Sequence, residues 1–372
     1  MIGESDGVRD RRDDESYVEY YLDHRNDIEE NTGDNYRRAW SQLNKWCDET
    51  GRDVERLERE DVREFCAHLR RKDDDEVSEL TGQRTIRHLS RMVNWLVTDA
   101  DVADYNPYKS FTDYFNPKQE DTEKLEVEDS ELREALQAAK EFRIDLFVYL
   151  TILLKTGMRS SEVLNLDLRD ISLDHPISRI MPDARLELQN HADTLYVDST
   201  VNKGEEHNKE VRQSGNKENS TRKIPIDDEL KQLLVWWIAM LPTSSSPAEP
   251  LIRKVTDPGA RRMSSSQVQE LVTEWSRDNG LNSPEMKHFG VDSHWCRHWF
   301  TTTMQANIDQ DEVSIGTPKA FVKGLRGDTD SDTIATYTQD WEKVKNNGEK
   351  TYREVCVDNI PKLFTDEVRS EQ

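Results

Sequence analysis

Residues 143–155, RIDLFVYLTILLK, constrain the fold more than any other stretch. Apolar side chains fall on every face of the helix they would form, so the helix has no solvent side. The run is also too short to cross a bilayer, which takes roughly 20 residues. What remains is a buried helix with other elements packed around it. Gly157 follows, a residue that tolerates the positive φ of a helix stop. Ser160 or Ser161 can then cap a short helix, with Val163, Leu164 and Leu166 facing inward. Arg159 therefore lies at a rigid corner between two helices. Its planar fork of donors suits phosphate oxygens.

Two other pieces answer to that corner. The first is His294-Trp-Cys-Arg297-His298-Trp-Phe. On a helix, His294 and Arg297 would project from one face while Trp295, Trp299 and Phe300 bury another. The second is Asp332-Thr-Ile-Ala-Thr-Tyr337-Thr. Two arginines, a histidine and a tyrosine are what a protein needs to grip a phosphodiester and attack it with a phenol oxygen. The alternating His294, Cys296 and His298 do not make a metal site. Alternate residues of a helix point apart, and no fourth ligand is near in sequence.

These residues resemble the tyrosine recombinases, the phage-integrase and Xer-like family. A first box of the form T-G-M-R-x-x-E-x-x-x-L is matched at 156–166, and a second, H-x-x-R-H-x-F, at 294–300. The third reads like L-G-H-x(8)-Y-T, here Leu325-Arg-Gly327-Asp328 followed by Tyr337-Thr338. The resemblance spans roughly residues 16–364, with the three boxes in family order. It implies that Arg159 and Arg297 clamp the scissile phosphate and that Tyr337 is the nucleophile. It also implies that His294 assists proton removal and that Glu162 holds the arginine corner. His298 matches a position that approaches the phosphate. A catalytic lysine is implied on a hairpin, in a pattern like K-x(4)-R-x-x-P. Lys217, Arg222 and Pro225 fit, with Lys203 in an Asn-Lys-Gly turn as the alternative. Neither ATP nor a metal or other cofactor is implied. The implied partners are double-stranded DNA carrying specific sites and, in the synapse, a homotetramer. One position departs from the pattern: Asp328 stands where the family usually has His or Trp. An ionised carboxylate cannot donate a hydrogen bond and would repel phosphate. Asp328 could turn away, cap the following helix, or orient an Arg or His. A catalytically impaired DNA-binding protein on the same fold is the alternative function.

Charge sets a second bound. The chain carries 51 basic against 75 acidic residues, a formal charge of −24. That is the wrong sign for an ordinary DNA-binding protein. By composition alone, an acidic interaction protein that never touches DNA fits equally well. Acidity spread along the whole length also suits a surface adapted to high salt, as in a halophilic archaeon or its virus. Cysteines 47, 66, 296 and 356 are scattered and read as reduced thiols. With a charged N-terminus and no apolar run near membrane length, the expectation is a soluble cytoplasmic protein.

The expected fold is mostly α with a small β-sheet: an N-terminal helical core-binding domain, then an α+β catalytic domain. Residues 1–15 read as disordered, 16–104 as the helical domain, 105–126 as a linker, 127–364 as the catalytic domain and 365–372 as a tail. Within 81–100, Ile86, Leu89, Val93 and Leu96 form an apolar stripe. Arg84, Arg87, His88 and Arg91 form the opposite one, the expected DNA-facing side. The runs DLRDISL, ARLELQN, TLYVDSTV and RKIPI read as strands, and YREVCVDNI near the C-terminus as a further one.

Overall fold

The computed structural model describes residues 16–25, 28, 30–70, 79–115, 125–282, 290–310, 318–328 and 351–364. The chain divides into two compact units, Met1–Thr122 and Glu123–Gln372. The fold is mostly helical with a small sheet, as expected.

Unit 1 contains α1 (Tyr17–Asp23), α2 (Glu30–Thr50), α3 (Arg59–Arg70) and α4 (Glu79–Thr98). Ser16 caps α1, its Oγ accepting the Glu19 N–H. Helix α4 packs on α2 and α3. It buries Ile86, Leu89, Met92 and Leu96 against Leu43 and Trp46 of α2 and Val62 and Phe65 of α3. Residues 105–115, expected to begin the linker, belong instead to this core. Tyr108, Phe111 and Phe115 are buried. Asn106 Nδ2 donates to the Ser90 carbonyl at 2.7 Å. The stretch lacks periodicity, but each aromatic ring removes roughly 150–250 Å² from water, which ties it down.

Unit 2 contains α5 (Asp129–Phe142), α6 (Ile144–Thr156), α7 (Ser160–Asn165), α8 (Asp228–Met240), α9 (Ser265–Asp278), α10 (Ser293–Gln310), α11 (Pro318–Arg326) and α12 (Tyr352–Asn359). Helix α6 is the central rod that its sequence requires. Every residue from Asp145 to Thr156 is buried, and α5, α8, α9 and α10 pack round it. Lys155 is fully buried with it. Its ammonium donates to Asp227 Oδ2 at 2.6 Å, Glu229 Oε2 at 2.6 Å and the Pro361 carbonyl at 2.7 Å. All three ammonium protons are thus satisfied, which is what allows a lysine into a core.

The strands are β1 (Ile171–Ser172), β2 (Thr194–Val197), β3 (Glu206–His207), β4 (Glu210–Val211) and β5 (Arg222–Pro225). An antiparallel sheet runs in the order β1-β2-β5, with Leu195 opposite both Ile171 and Ile224. The long insert between β2 and β5 carries the small β3–β4 hairpin. Buried Arg212 pins it to the body, donating to Asp167 Oδ2 at 2.6 Å.

Three strand expectations are corrected. DLRDISL yields only the two-residue β1 after a 3-10 turn at Leu168–Asp170. ARLELQN forms a 3-10 turn at Leu186–Leu188 in which only Leu188 is buried. Alternating side chains need a neighbouring strand to bury one face, and Leu186 lies open to solvent instead. YREVCVDNI is helix α12. Thr351 Oγ1 accepts the Glu354 N–H, and the Glu354 carboxylate accepts the Thr351 N–H. Val355, Cys356 and Ile360 then pack with Phe300, Met304 and Ile308 of α10.

Candidate active site

The arginine corner is built as its sequence requires, with one difference in the cap. Gly157 takes φ 60° and ends α6. A Cβ there would stand 2.3 Å from Phe300 Cδ1, so glycine is needed for both conformation and space. The cap position of α7 is Arg159 itself rather than a serine. The Glu162 carboxylate accepts the Arg159 backbone N–H at 2.8 Å and its Nη1 at 2.9 Å. Serine 160 does different work. The Tyr149 hydroxyl, at the middle of α6, lies 2.7 Å from Ser160 Oγ and 2.9 Å from Ser293 Oγ. One buried phenol thus ties together the first residues of α7 and α10.

Helix α10 delivers Arg297 and His294 into different surroundings. Arg297 is buried, with Nη1 donating to the Gly157 carbonyl and Nη2 to the Arg326 carbonyl at 2.8 Å. His294 is exposed, and its Nε2 lies 2.8 Å from Nε2 of His298, one turn on. The two rings meet edge to face. The two histidines pair with each other, while the Arg297 guanidinium reaches inward to the two carbonyls. Trp295 is buried and donates from Nε1 to the Leu125 carbonyl, and Cys296 lies in the core.

A second carboxylate closes the cluster. Asp328 Oδ1 accepts from Arg159 Nη2 and, at 2.8 Å, from Arg297 Nη2. Its Oδ2 lies 2.9 Å from Arg326 Nη2. Of the placements open to Asp328, the structure shows it turned toward arginines. Arg222 of β5 joins from below, donating to Glu162 Oε2 at 2.8 Å and to the Leu325 carbonyl at 2.6 Å. Gly327, at φ 67°, leaves room for that guanidinium. Four guanidiniums thus face two carboxylates, an excess of positive charge in a chain of net charge −24.

Electrostatics reflect this crowding. Burial pushes the Glu162 carboxyl up, but Arg222 and Arg159 outweigh it and hold the group down at about 2. Burial and the neighbouring Arg326 and Arg159 guanidiniums bring Arg297 down to about 10, still protonated at neutral pH. For Asp328, Arg297, Arg326 and Arg159 overcome the effect of burial and lower the carboxyl below its usual range. Such an arrangement can hold one anion on converging guanidiniums in a partly dry site.

The model of the phage integrase family matches residues 126–340, more than half of the chain and all of this cluster. The chain belongs to the phage integrase family. The N-terminal SAM-like domain of phage integrases matches residues 15–99. Among solved structures, the Tn1549 transposon integrase in complex with a circular intermediate DNA is similar in fold. Its TM-score is 0.59 at 17% identity, over 86% of this chain and 94% of that one. A lambda integrase dimer bound to a COC' core site gives 0.55 at 15% identity, over 89% and 98%. A lambda integrase tetramer bound to a Holliday junction gives 0.54 at 15% identity, over 92% and 84%. No curated protein matches the sequence significantly.

For an integrase-family chain, the remaining expected residues are placed as follows. Tyr337, the expected nucleophile, lies outside the described residues, as do residues 1–15 and 365–372. Lys217 is exposed on the loop leading into β5, five residues before Arg222, and Lys203 is half-buried in the turn at the start of the insert. In unit 1, Arg84, Arg87 and Arg91 are exposed on one face of α4, whereas His88 is half-buried. The His88 ring packs on Tyr36 at 4.7 Å. Burial, then Arg91 and Arg84, lowers its pKa, so it is neutral at pH 7. Two members of the cluster went unread in the sequence: Arg326 and the buried role of Arg222. The available signal was position, since Arg326 directly precedes the Gly327-Asp328 pair and Arg222 follows Lys217 in the family-like pattern. Among the described residues, no helix is long and apolar enough to cross a membrane.

Proposed function

We propose that this protein is a site-specific DNA recombinase that cuts and rejoins strands through a covalent 3′-phosphotyrosine link. The observation that carries the reading is the convergence of Arg159 and Arg297, from two separate helical elements, on one carboxylate oxygen. A nonbridging phosphate oxygen has the same charge sense and hydrogen-bonding needs. In the reaction, the Tyr337 oxygen bonds to phosphorus while the bond to the 5′ oxygen breaks. His294, with His298 beside it, takes the phenol proton. Lys217, or Lys203 in its place, protonates the departing 5′ oxygen. Arg159 and Arg297 stabilise the charge of the pentavalent transition state. A 5′ hydroxyl of another strand then reverses the step. The bond energy stays in the phosphotyrosine link, so no ATP or metal enters the scheme.

The exposed Arg84, Arg87 and Arg91 face contacts the DNA backbone, with His88 supporting it from within. The fold's likeness to integrases solved with DNA, as a dimer and as a tetramer on a Holliday junction, supports duplex DNA as substrate and a homotetramer in the synapse. The acidic surface fits a halophilic archaeal or viral source and a cytoplasmic site of action. In molar salt, counterion release drives DNA binding weakly, so specific contacts must carry more of the affinity. A second reading, DNA binding without catalysis, is favoured by one observation: a carboxylate, Asp328, already takes donors from Arg159 and Arg297.

Covalent capture decides between them. The protein is mixed in high salt with nicked duplex carrying a candidate attachment site from the flanks of its gene, then run on a denaturing gel beside Tyr337→Phe. The expected result is a shifted band that vanishes in the variant. A noncovalent gel shift without any covalent band establishes the second reading.

A further inference from the structure

The arginine cluster holds an anion already, and that anion belongs to the chain. Asp328 takes donors from three guanidiniums, Arg159 and Arg297 on Oδ1 and Arg326 on Oδ2. Arg326 is the unexpected member. It is partly buried, its Nη2 reaches Oδ2 at 2.9 Å, and its Nε has no hydrogen-bond partner. An arginine desolvated to that degree and left with a spare donor is costly unless an acceptor comes to it. Asp328 alone cannot serve it fully, because its two oxygens are shared among three forks. A phosphodiester brings more acceptor oxygens of the same formal charge.

We propose that Arg326 completes the phosphate-binding cluster as its third guanidinium, and that Asp328 is a resident carboxylate which the scissile phosphate displaces. The inference rests on the recombinase reading for the identity of the incoming phosphate. Entry is an exchange of one singly charged anion for another, so the cluster keeps its charge and no bond is made or broken. The exchange also explains how an acidic residue is tolerated beside the phosphate site. Before DNA arrives, Asp328 neutralises guanidiniums that would otherwise repel each other; afterwards, Arg326 is released from Oδ2 to the substrate. Phosphate and the resident carboxylate compete for the same guanidiniums, so the apparent affinity for any phosphate is lowered by the fraction of time the carboxylate is seated.

Inorganic phosphate, titrated calorimetrically into the full chain at fixed potassium chloride, tests this without DNA. Asp328→Asn is expected to bind phosphate at least tenfold more tightly than the parent, while Asp328→Glu, which keeps the charge, stays near the parent. Adding Arg326→Gln to Asp328→Asn is expected to abolish the gain. Equal phosphate affinity in parent and Asp328→Asn, at unchanged near-ultraviolet circular dichroism, overturns displacement. A gain that survives Arg326→Gln overturns the role of Arg326. Asp328→Ser repeats the test without an amide; if neither neutral variant keeps the parent's dichroism, Asp328 is a counter-charge the fold cannot release, and the proposal fails. A phosphate gain in a protein with no Tyr337-dependent covalent band would sink the recombinase reading alone. A normal covalent band without the phosphate gain would sink only this inference.

Discussion

Replacing Glu162 with Gln removes one charge from the centre of the arginine corner. The carboxylate is buried and accepts four hydrogen bonds: the Arg159 N–H and Arg222 Nη2 on Oε2, and Arg159 Nη1 and Arg222 Nη1 on Oε1. Glutamine offers one acceptor oxygen and turns an NH₂ group toward donors, leaving guanidinium protons unmet. The depression of the carboxyl from 4.5 to about 2 corresponds to about 3 kcal/mol of native-state stabilisation at neutral pH. Breaking one side of a buried ion pair costs about 3–5 kcal/mol, which agrees. The sign of the pH dependence follows. A carboxyl depressed in the folded state stabilises above its unfolded value, and that stability is lost as pH falls from 4.5 toward 2. The parent should therefore exceed Glu162→Gln by about 3 kcal/mol at pH 7, and the gap should narrow as pH falls below 4.5. Differential scanning calorimetry of both proteins at several pH values and constant salt reads this gap. A loss under about 1 kcal/mol at pH 7, or a gap unchanged from pH 6 to 3, refutes the account of the corner.

Gly157→Ala places a methyl on Phe300 at a positive φ, and should cost about 2–5 kcal/mol from strain and overpacking together. Chemical denaturation measures that cost, and a loss below about 1 kcal/mol would contradict it. Lys155→Ala removes the buried cation shared by Asp227 and Glu229, leaving only the half-exposed Lys362 beside Asp227. A loss of about 3–5 kcal/mol is expected, and a neutral result in the same assay would contradict the burial argument. Arg84→Ala with Arg91→Ala should weaken DNA binding evenly across sequences and lower the salt slope by about 1–2. Gel shifts at several salt concentrations measure it, and an unchanged slope removes α4 from the interface.

Legibility followed the range of the interactions involved. The buried rod α6, the stop at Gly157 and the apolar stripe of α4 were readable because each depends on neighbours within a turn or two. The arginines at 159 and 297 were readable as candidates from their local motifs. Their convergence was readable only through the family resemblance, since the contacts that join their elements, such as Tyr149 with Ser160 and Ser293, link residues far apart in the chain. The short runs failed for a related reason. ARLELQN alternates like a strand, but pairing is decided by a partner far along the chain. YREVCVDNI held a helix signal, Thr351 followed three residues later by Glu354, that outranks its β-branched content. Residues 105–115 looked like linker because aromatic burial leaves no periodic trace. Asp328 was recognised as a departure, yet its seat among three guanidiniums lay beyond sequence reasoning.

The Tyr149 hydroxyl has a consequence for how this molecule lives with salt. Ionic strength acts by screening, and its reach is greatest for exposed charges separated by water. The bridge from Tyr149 to the two serines is uncharged, and its phenol end is fully buried while the serines are partly exposed. It ties the start of the helix beside Arg159 to the start of the helix that carries His294 through one buried hydroxyl. Surface charge and inner alignment are thereby decoupled. On the proposed function, ions outside retune how tightly the protein holds DNA, or how fast it finds it, while the spacing of Arg159 and His294 stays referenced to a buried phenol.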